Sequence, residues 1–131
     1  MNRVSVLVVE DELLIALDIE TILEEAGYSV LGPVKSASAA LEKIASTGAD
    51  LALLDVNLET GNTFPVADVL SERGIPFIFM TGHTQTAFPQ QHRARPILNK
   101  PCRPGHLIEA LAELQGKLRA GHDVSHRPAT C

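Results

Sequence analysis

The chain contains no tryptophan, one tyrosine and four phenylalanines. An aromatic platform on which bases or sugars could stack is therefore not expected. Two cysteines are present, Cys102 and Cys131. They lie far apart and make no disulfide framework, which fits a reducing cytoplasm. Basic residues are few and scattered, with 11 Lys and Arg against 16 Asp and Glu and a net charge of −5. A duplex-binding module needs a basic face, so nucleic acid is not expected as a direct partner. No apolar run approaches the ~20 residues of a membrane-spanning helix, so no membrane is expected either. The opening Met1-Asn2-Arg3-Val4-Ser5-Val6 leads straight into a strand-like pattern without a leader's architecture, and the expected location is cytoplasmic.

What is present is the balance of one soluble globular domain: 131 residues, 45% hydrophobic and 21% charged. Short apolar runs alternate with stretches of helical period. Val4–Val9 is a β-branched run of the kind buried on both faces of a sheet. Ile15, Ile19, Ile22 and Ala26 then recur on one side of a helix that Gly27 stops. Ser29–Val34 is a second strand, placed near an edge because Pro33 lacks an N–H. Ser36 or Ser38 can cap a second helix through Leu41, Ile44 and Ala45. Leu51–Leu54 is a third strand, and Pro65 opens a third helix. Pro76–Met80 and Pro96–Leu98 are the fourth and fifth strands. A last helix runs from about Pro104 to Leu118, with Leu107, Leu111, Leu114 and Leu118 on one stripe. Strand–helix units joined by right-handed crossovers predict an α/β fold: a five-stranded parallel sheet with helices on both faces. The stretch from His83 to Arg95 is poor in aliphatic residues and carries Pro89, so its helix should be short, frayed or absent. The expected domain is 1–119, followed by a polar, disordered tail over 120–131.

In such a sheet, ligands bind beyond the carboxyl ends of the strands. The residues at those ends are Glu10 and Asp11, Asp55, Thr81 and Lys100. Converging carboxylates repel by about 4 kcal/mol per pair at ~4 Å and an effective dielectric near 20. Positive charge must sit among them, and an all-oxygen site with water positions suits Mg²⁺ or Mn²⁺ rather than zinc. Lys100 adds a second positive charge. A carboxylate nucleophile, Asp55, could then attack a phosphoryl group held by metal, by Lys100 and by the Thr81 hydroxyl. Taken singly, each has a plainer reading. Acids are common in a first helical turn, Asp opens turns, and lone threonines and lysines sit at strand ends and surfaces. The ordered set is what argues for a site.

From residue 3 to about 119 the sequence resembles the receiver domain of two-component response regulators. The motifs are Glu10-Asp11, Leu54-Asp55-Val56-Asn57-Leu58, Thr81-Gly82 and Lys100-Pro101, each after its strand. The resemblance implies a flavodoxin-like, doubly wound sheet of order 2-1-3-4-5. It implies Asp55 as phosphoacceptor, Asp11 as a direct Mg²⁺ ligand, Glu10 acting through water and the Asn57 backbone carbonyl completing the protein ligands. Thr81 would be the switch hydroxyl, and Lys100 would pair with the phosphoryl group. A cis Lys100–Pro101 peptide is common in such domains. The family's usual aromatic three residues before the lysine is Ile97 here. The run Pro76-Phe77-Ile78-Phe79-Met80-Thr81-Gly82-His83 is similar to the subgroup named for its Phe-Ala-Thr-Gly-Tyr motif, differing at Met80 and His83.

The expected function is a stand-alone receiver phosphorylated by a sensor histidine kinase. Its output would be protein contacts or phosphate flow, with a histidine phosphotransferase or a target protein as further partner. It would be a signalling module rather than an enzyme. The alternative is an Asp-nucleophile phosphatase of the haloacid-dehalogenase type, which would need a second Asp where Asn57 stands. A flavin carrier of flavodoxin type would suffer repulsion between its phosphate and Glu10-Asp11-Glu12. His122 and His126 are read as part of a solvated tail, and Cys102 as a small apolar filler.

Overall fold

The computed structural model describes residues 3–82 and 88–120, with side chains as far as residue 116. In chain order the first half comprises β1 (Ser5–Val9), α1 (Leu13–Glu25), β2 (Ser29–Val34), α2 (Ala37–Ser46) and β3 (Leu51–Asp55). The second half comprises β4 (Asn57–Leu58), β5 (Gly61–Asn62), α3 (Phe64–Glu72), β6 (Phe77–Thr81), β7 (Ile97–Asn99) and α4 (Pro104–Ala120). Five strands form one sheet in the order β2-β1-β3-β6-β7, every neighbour parallel. Counted along the chain without the short β4–β5 hairpin, this is the expected 2-1-3-4-5 order of a flavodoxin-like fold.

Alternation along the strands sends successive side chains to opposite faces, so two cores form. On one face Val6, Val8, Leu51, Leu53, Ile78 and Met80 meet Ile19 and Leu23 of α1 and Leu107, Leu111 and Leu114 of α4. On the other, Leu7, Val9, Ala52, Leu54, Phe77 and Phe79 meet Ala40 and Ile44 of α2 and Val66, Ala67 and Leu70 of α3. Every residue of β3 and β6 is buried, which explains why those strands read as continuous apolar runs rather than alternating ones.

The helices are set by local signals. Ser36 caps α2 by accepting from the Ala39 N–H at 3.1 Å, and Pro65 lies in the first turn of α3. The α1 stripe differs from expectation: Ala16, Ile19 and Leu23 are buried, Ile15 and Ile22 are partly covered, and Ala26 is exposed. Apolar residues surround this helix, with Leu13, Leu14 and Leu17 in solvent, so the periodic signal is blurred. On the edge strand β2 the register with β1 shifts between Leu7 and Val9. Gly32 sits beside that irregularity at φ +95°, where a Cβ would lie 2.7 Å from the Val34 nitrogen.

Residues 83–87, part of the uncertain fourth helix, lie outside the described residues. From Phe88 to Arg95 the chain makes one 3₁₀ turn, Gln90–His92, and no α-helix. The expected tail also lies outside them, except that α4 continues to Ala120. Cys102 packs against the α1–α4 core as expected of an apolar filler. Cys131 lies outside the described residues. Among those residues, no helix is long and apolar enough to cross a membrane.

Candidate functional site

Four strand ends converge at the carboxyl edge of the sheet. Glu10 follows β1 and is 1% exposed; its Oε2 accepts from the Glu12 N–H at 3.1 Å at the entry to α1. Asp11 Oδ2 accepts from the Glu59 N–H at 2.7 Å, which ties the β4–β5 turn to the β1 end. Asp55 closes β3 and is buried. Lys100 follows β7, and its backbone N–H donates to the Thr81 carbonyl at 2.9 Å. Its ammonium reaches Glu10 Oε1 at 2.8 Å and Asp55 Oδ2 at 3.0 Å. A cis peptide joins Lys100 to Pro101, as the resemblance implied.

One ligand oxygen from each of Glu10, Asp11 and Asp55 lies within 4.8 Å of the others. Three acids this close need more positive charge than one ammonium supplies. Burial, reinforced by the Glu10 charge, pushes the Asp55 carboxyl up to about 6 despite the opposing pull of Lys100. For Lys100 burial acts downward, but the two carboxylates outweigh it and raise the ammonium above its ordinary value. Glu10 Oε1 meets that ammonium at 2.8 Å, and a carboxylate oxygen keeps a second lone pair for a further donor or a cation. The carboxylate-only donor set suits a hard, oxygen-seeking divalent cation.

Of the sequence candidates, Glu10, Asp11, Asp55 and Lys100 are brought into one cluster. Thr81 is buried at the end of β6, one residue beyond Met80, the register partner of Asp55. Asn57 opens the β4–β5 hairpin two residues past Asp55, with its side chain in solvent. A comparison with known protein families matches residues 6–112 to the response regulator receiver domain. The chain belongs to that family.

Receivers are phosphorylation-based signalling modules that bind Mg²⁺ in an acidic pocket. Among curated relatives, the phyllosphere-induced regulator PhyR of Methylorubrum extorquens is 32% identical over 115 residues, which is 83% of this chain and 42% of PhyR. The transcriptional regulatory protein PdtaR of Mycobacterium tuberculosis is 30% identical over 110 residues, 81% of this chain and 54% of PdtaR. This receiver thus spans about half the length of the curated relatives it matches. The solution structure of SdrG from Sphingomonas melonis Fr1 is 39% identical, with a TM-score of 0.77 over 88% of this chain and 99% of SdrG. SdrG has also been solved in a BeF3-activated conformation, from Pseudomonas melonis Fr1. That structure is 40% identical, with a TM-score of 0.73 over 87% of this chain and 98% of the other.

Sequence reasoning missed Thr63. It is fully buried, and its hydroxyl donates to the Asp55 backbone carbonyl at 2.8 Å. The position reads as an ordinary helix cap, yet Asn62 Oδ1 takes the capping contact, accepting from the Phe64 N–H at 3.0 Å. Nothing local in the sequence signals a bond back to the end of β3.

Proposed function

We propose that this receiver accepts a phosphoryl group from a phosphohistidine onto Asp55. The observation that carries the reading is the Asp55 carboxylate at the end of the central strand β3, with the Lys100 ammonium 3.0 Å away. In the transfer, a carboxylate oxygen forms the new P–O bond while the P–N bond to the donor imidazole breaks. The imidazole leaves with the electron pair and takes a proton. Glu10, Asp11 and Asp55 would hold Mg²⁺ or Mn²⁺, with the Asn57 backbone carbonyl as a further ligand. The metal would supply charge neutralisation at the phosphoryl oxygens. Lys100 steadies one of those oxygens by charge, and its tether to Glu10 keeps the ammonium aimed at the site. The Thr81 hydroxyl, at the end of β6, is the group that would report the new oxygens. The phosphodonor is a sensor histidine kinase or a histidine phosphotransferase, and output runs through protein contacts or phosphate flow. The BeF3-activated conformation of SdrG supports this reading by likeness.

The test is intact mass after incubation with acetyl phosphate and Mg²⁺, with and without chelator. One phosphoryl adduct, absent in Asp55→Asn and in chelator, is the expected result. An adduct that persists in Asp55→Asn would overturn the assignment. Rapid multiple turnover of a phosphate ester would favour the phosphatase alternative.

A further inference from the structure

His92 is 1% exposed, and the phosphotransfer reading gives it no part. Its ring stacks on Phe64 at 6.2 Å and meets the edges of Phe77 and Phe79 at 5.9 and 5.7 Å. Phe88 closes on Phe64 and Phe79 at 5.6 and 5.1 Å. Within this apolar box Nε2 lies 2.7 Å from Oδ1 of Asp68, whose own side chain is half exposed on α3. A carboxylate only accepts, so Nε2 carries the proton in this bond. Nδ1 is buried without a partner among the described residues. A phenylalanine would fill the box without stranding a polar atom. The histidine therefore contributes something packing does not, a directional tether.

The tether joins two elements that both end at the phosphoacceptor. One is α3: Thr63, immediately before it, bonds the Asp55 carbonyl, Phe64 stacks on His92, and Asp68 lies one turn further along. The other is β6: Phe77 and Phe79 wall the imidazole, and the strand ends at Thr81. Arg95 repeats the arrangement, donating to Ser71 of α3 at 2.6 Å while its guanidinium lies 4.8 Å over Phe77 of β6.

We propose that Asp68 and His92 form a latch that holds the Gln90–Arg95 segment on α3 in the unphosphorylated receiver and opens when Asp55 is phosphorylated. The inference rests on the phosphotransfer reading. The closed latch is short and the ring is boxed on several sides, so it cannot turn to follow a moving partner. A shift of α3 against β6, driven by added bulk and charge at Asp55, lengthens this contact. Opening releases the surface where α3 meets the segment. Coupling is reciprocal, so removing the latch must favour the activated state. Asp68 and His92 are positioning residues, since neither touches the site.

The experiment uses the full chain with Mg²⁺ and beryllofluoride, following bound ¹⁹F signal, His92 ring resonances and amide exchange. The informative amides are those of His92, Arg93 and Arg95, which donate to the Pro89, Gln90 and His92 carbonyls. On beryllofluoride binding we expect their exchange to rise about tenfold, as for local opening, with the His92 ring resonances moving. Asp68→Ala, on an exposed helix face, should bind beryllofluoride about fivefold more tightly. Its segment should exchange fast in both states. His92→Phe keeps the box filled and should show the same tighter binding. A bound ¹⁹F signal without any change at those amides in the wild type would overturn the latch alone, as would unchanged affinity in both variants. Absence of a bound ¹⁹F signal in the wild type would overturn the phosphotransfer reading and the latch with it.

Discussion

Asp55→Asn should make the metal-free protein more stable, although it removes the proposed phosphoacceptor. Burial and the Glu10 charge hold the Asp55 carboxyl at about 6, against an ordinary 3.8. Between those values the folded state keeps a proton that the unfolded state has released. Wild-type stability therefore falls as pH rises from about 4 to about 6 and is level above that. Each pH unit of difference is worth about 1.4 kcal/mol, which puts the ionisation penalty near ~3 kcal/mol at neutral pH. Water reaching the rim of the site lowers this to roughly 2 kcal/mol. Asn mimics the protonated carboxyl in shape and carries no charge, so the variant escapes that penalty. For a domain of this size the gain corresponds to a rise in melting temperature of roughly 8 °C. The assay is thermal unfolding in chelator at pH 7.5 and at pH 4, where wild-type Asp55 is protonated in the folded state. The gain should appear at pH 7.5 and disappear at pH 4. Equal stability at pH 7.5, or the same gain at both values, would refute the electrostatic account.

Three further outcomes are expected. Mg²⁺ at one hundred times its dissociation constant should stabilise the wild type by about 2.7 kcal/mol in urea unfolding. Asp11→Asn should lose most of that response, and an equal response in both would remove Asp11 from the ligand set. Lys100→Met leaves the buried Glu10 carboxylate without its ammonium and should destabilise the metal-free protein by about 3 kcal/mol. An unchanged urea midpoint at pH 7.5 would show that the pair is dispensable. Gly32→Ala places a methyl group 2.7 Å from the Val34 nitrogen and 3.0 Å from the Val8 carbonyl, at φ +95°. It should cost about 2 kcal/mol, and a loss below ~0.5 kcal/mol would mean the edge strand relaxes freely.

The sheet and the charged members of the site were legible because every strand but the edge strand β2 is an apolar run that leads into an acid, a hydroxyl or a lysine. Burial on both faces writes itself into sequence as unbroken hydrophobicity. The α1 face was not legible, because Leu13, Leu14 and Leu17 are exposed and compete with the buried Ala16 and Leu23 for the periodic signal. The β4–β5 hairpin is too short to carry any period. Thr63 and His92 were missed for a related reason. Their partners, the Asp55 carbonyl and Asp68, are fixed by tertiary packing, and neither residue type announces such a bond in its local neighbourhood.

The order of the strands has a consequence for how the chain becomes functional as it folds. β1 pairs with β2 and β3, all within the first half of the sequence, while β6 and then β7 add to one side. The ammonium that balances Glu10 and Asp55 arrives only after β7. A nascent chain that has not yet added β7 lacks the lysine that offsets those acids in the finished sheet. Contacts that distant in sequence form late, because the intervening loop must close first. Charge balance at the acidic edge is thus the last feature of the sheet to be completed, and metal affinity in a truncation series would mark the point at which it is reached.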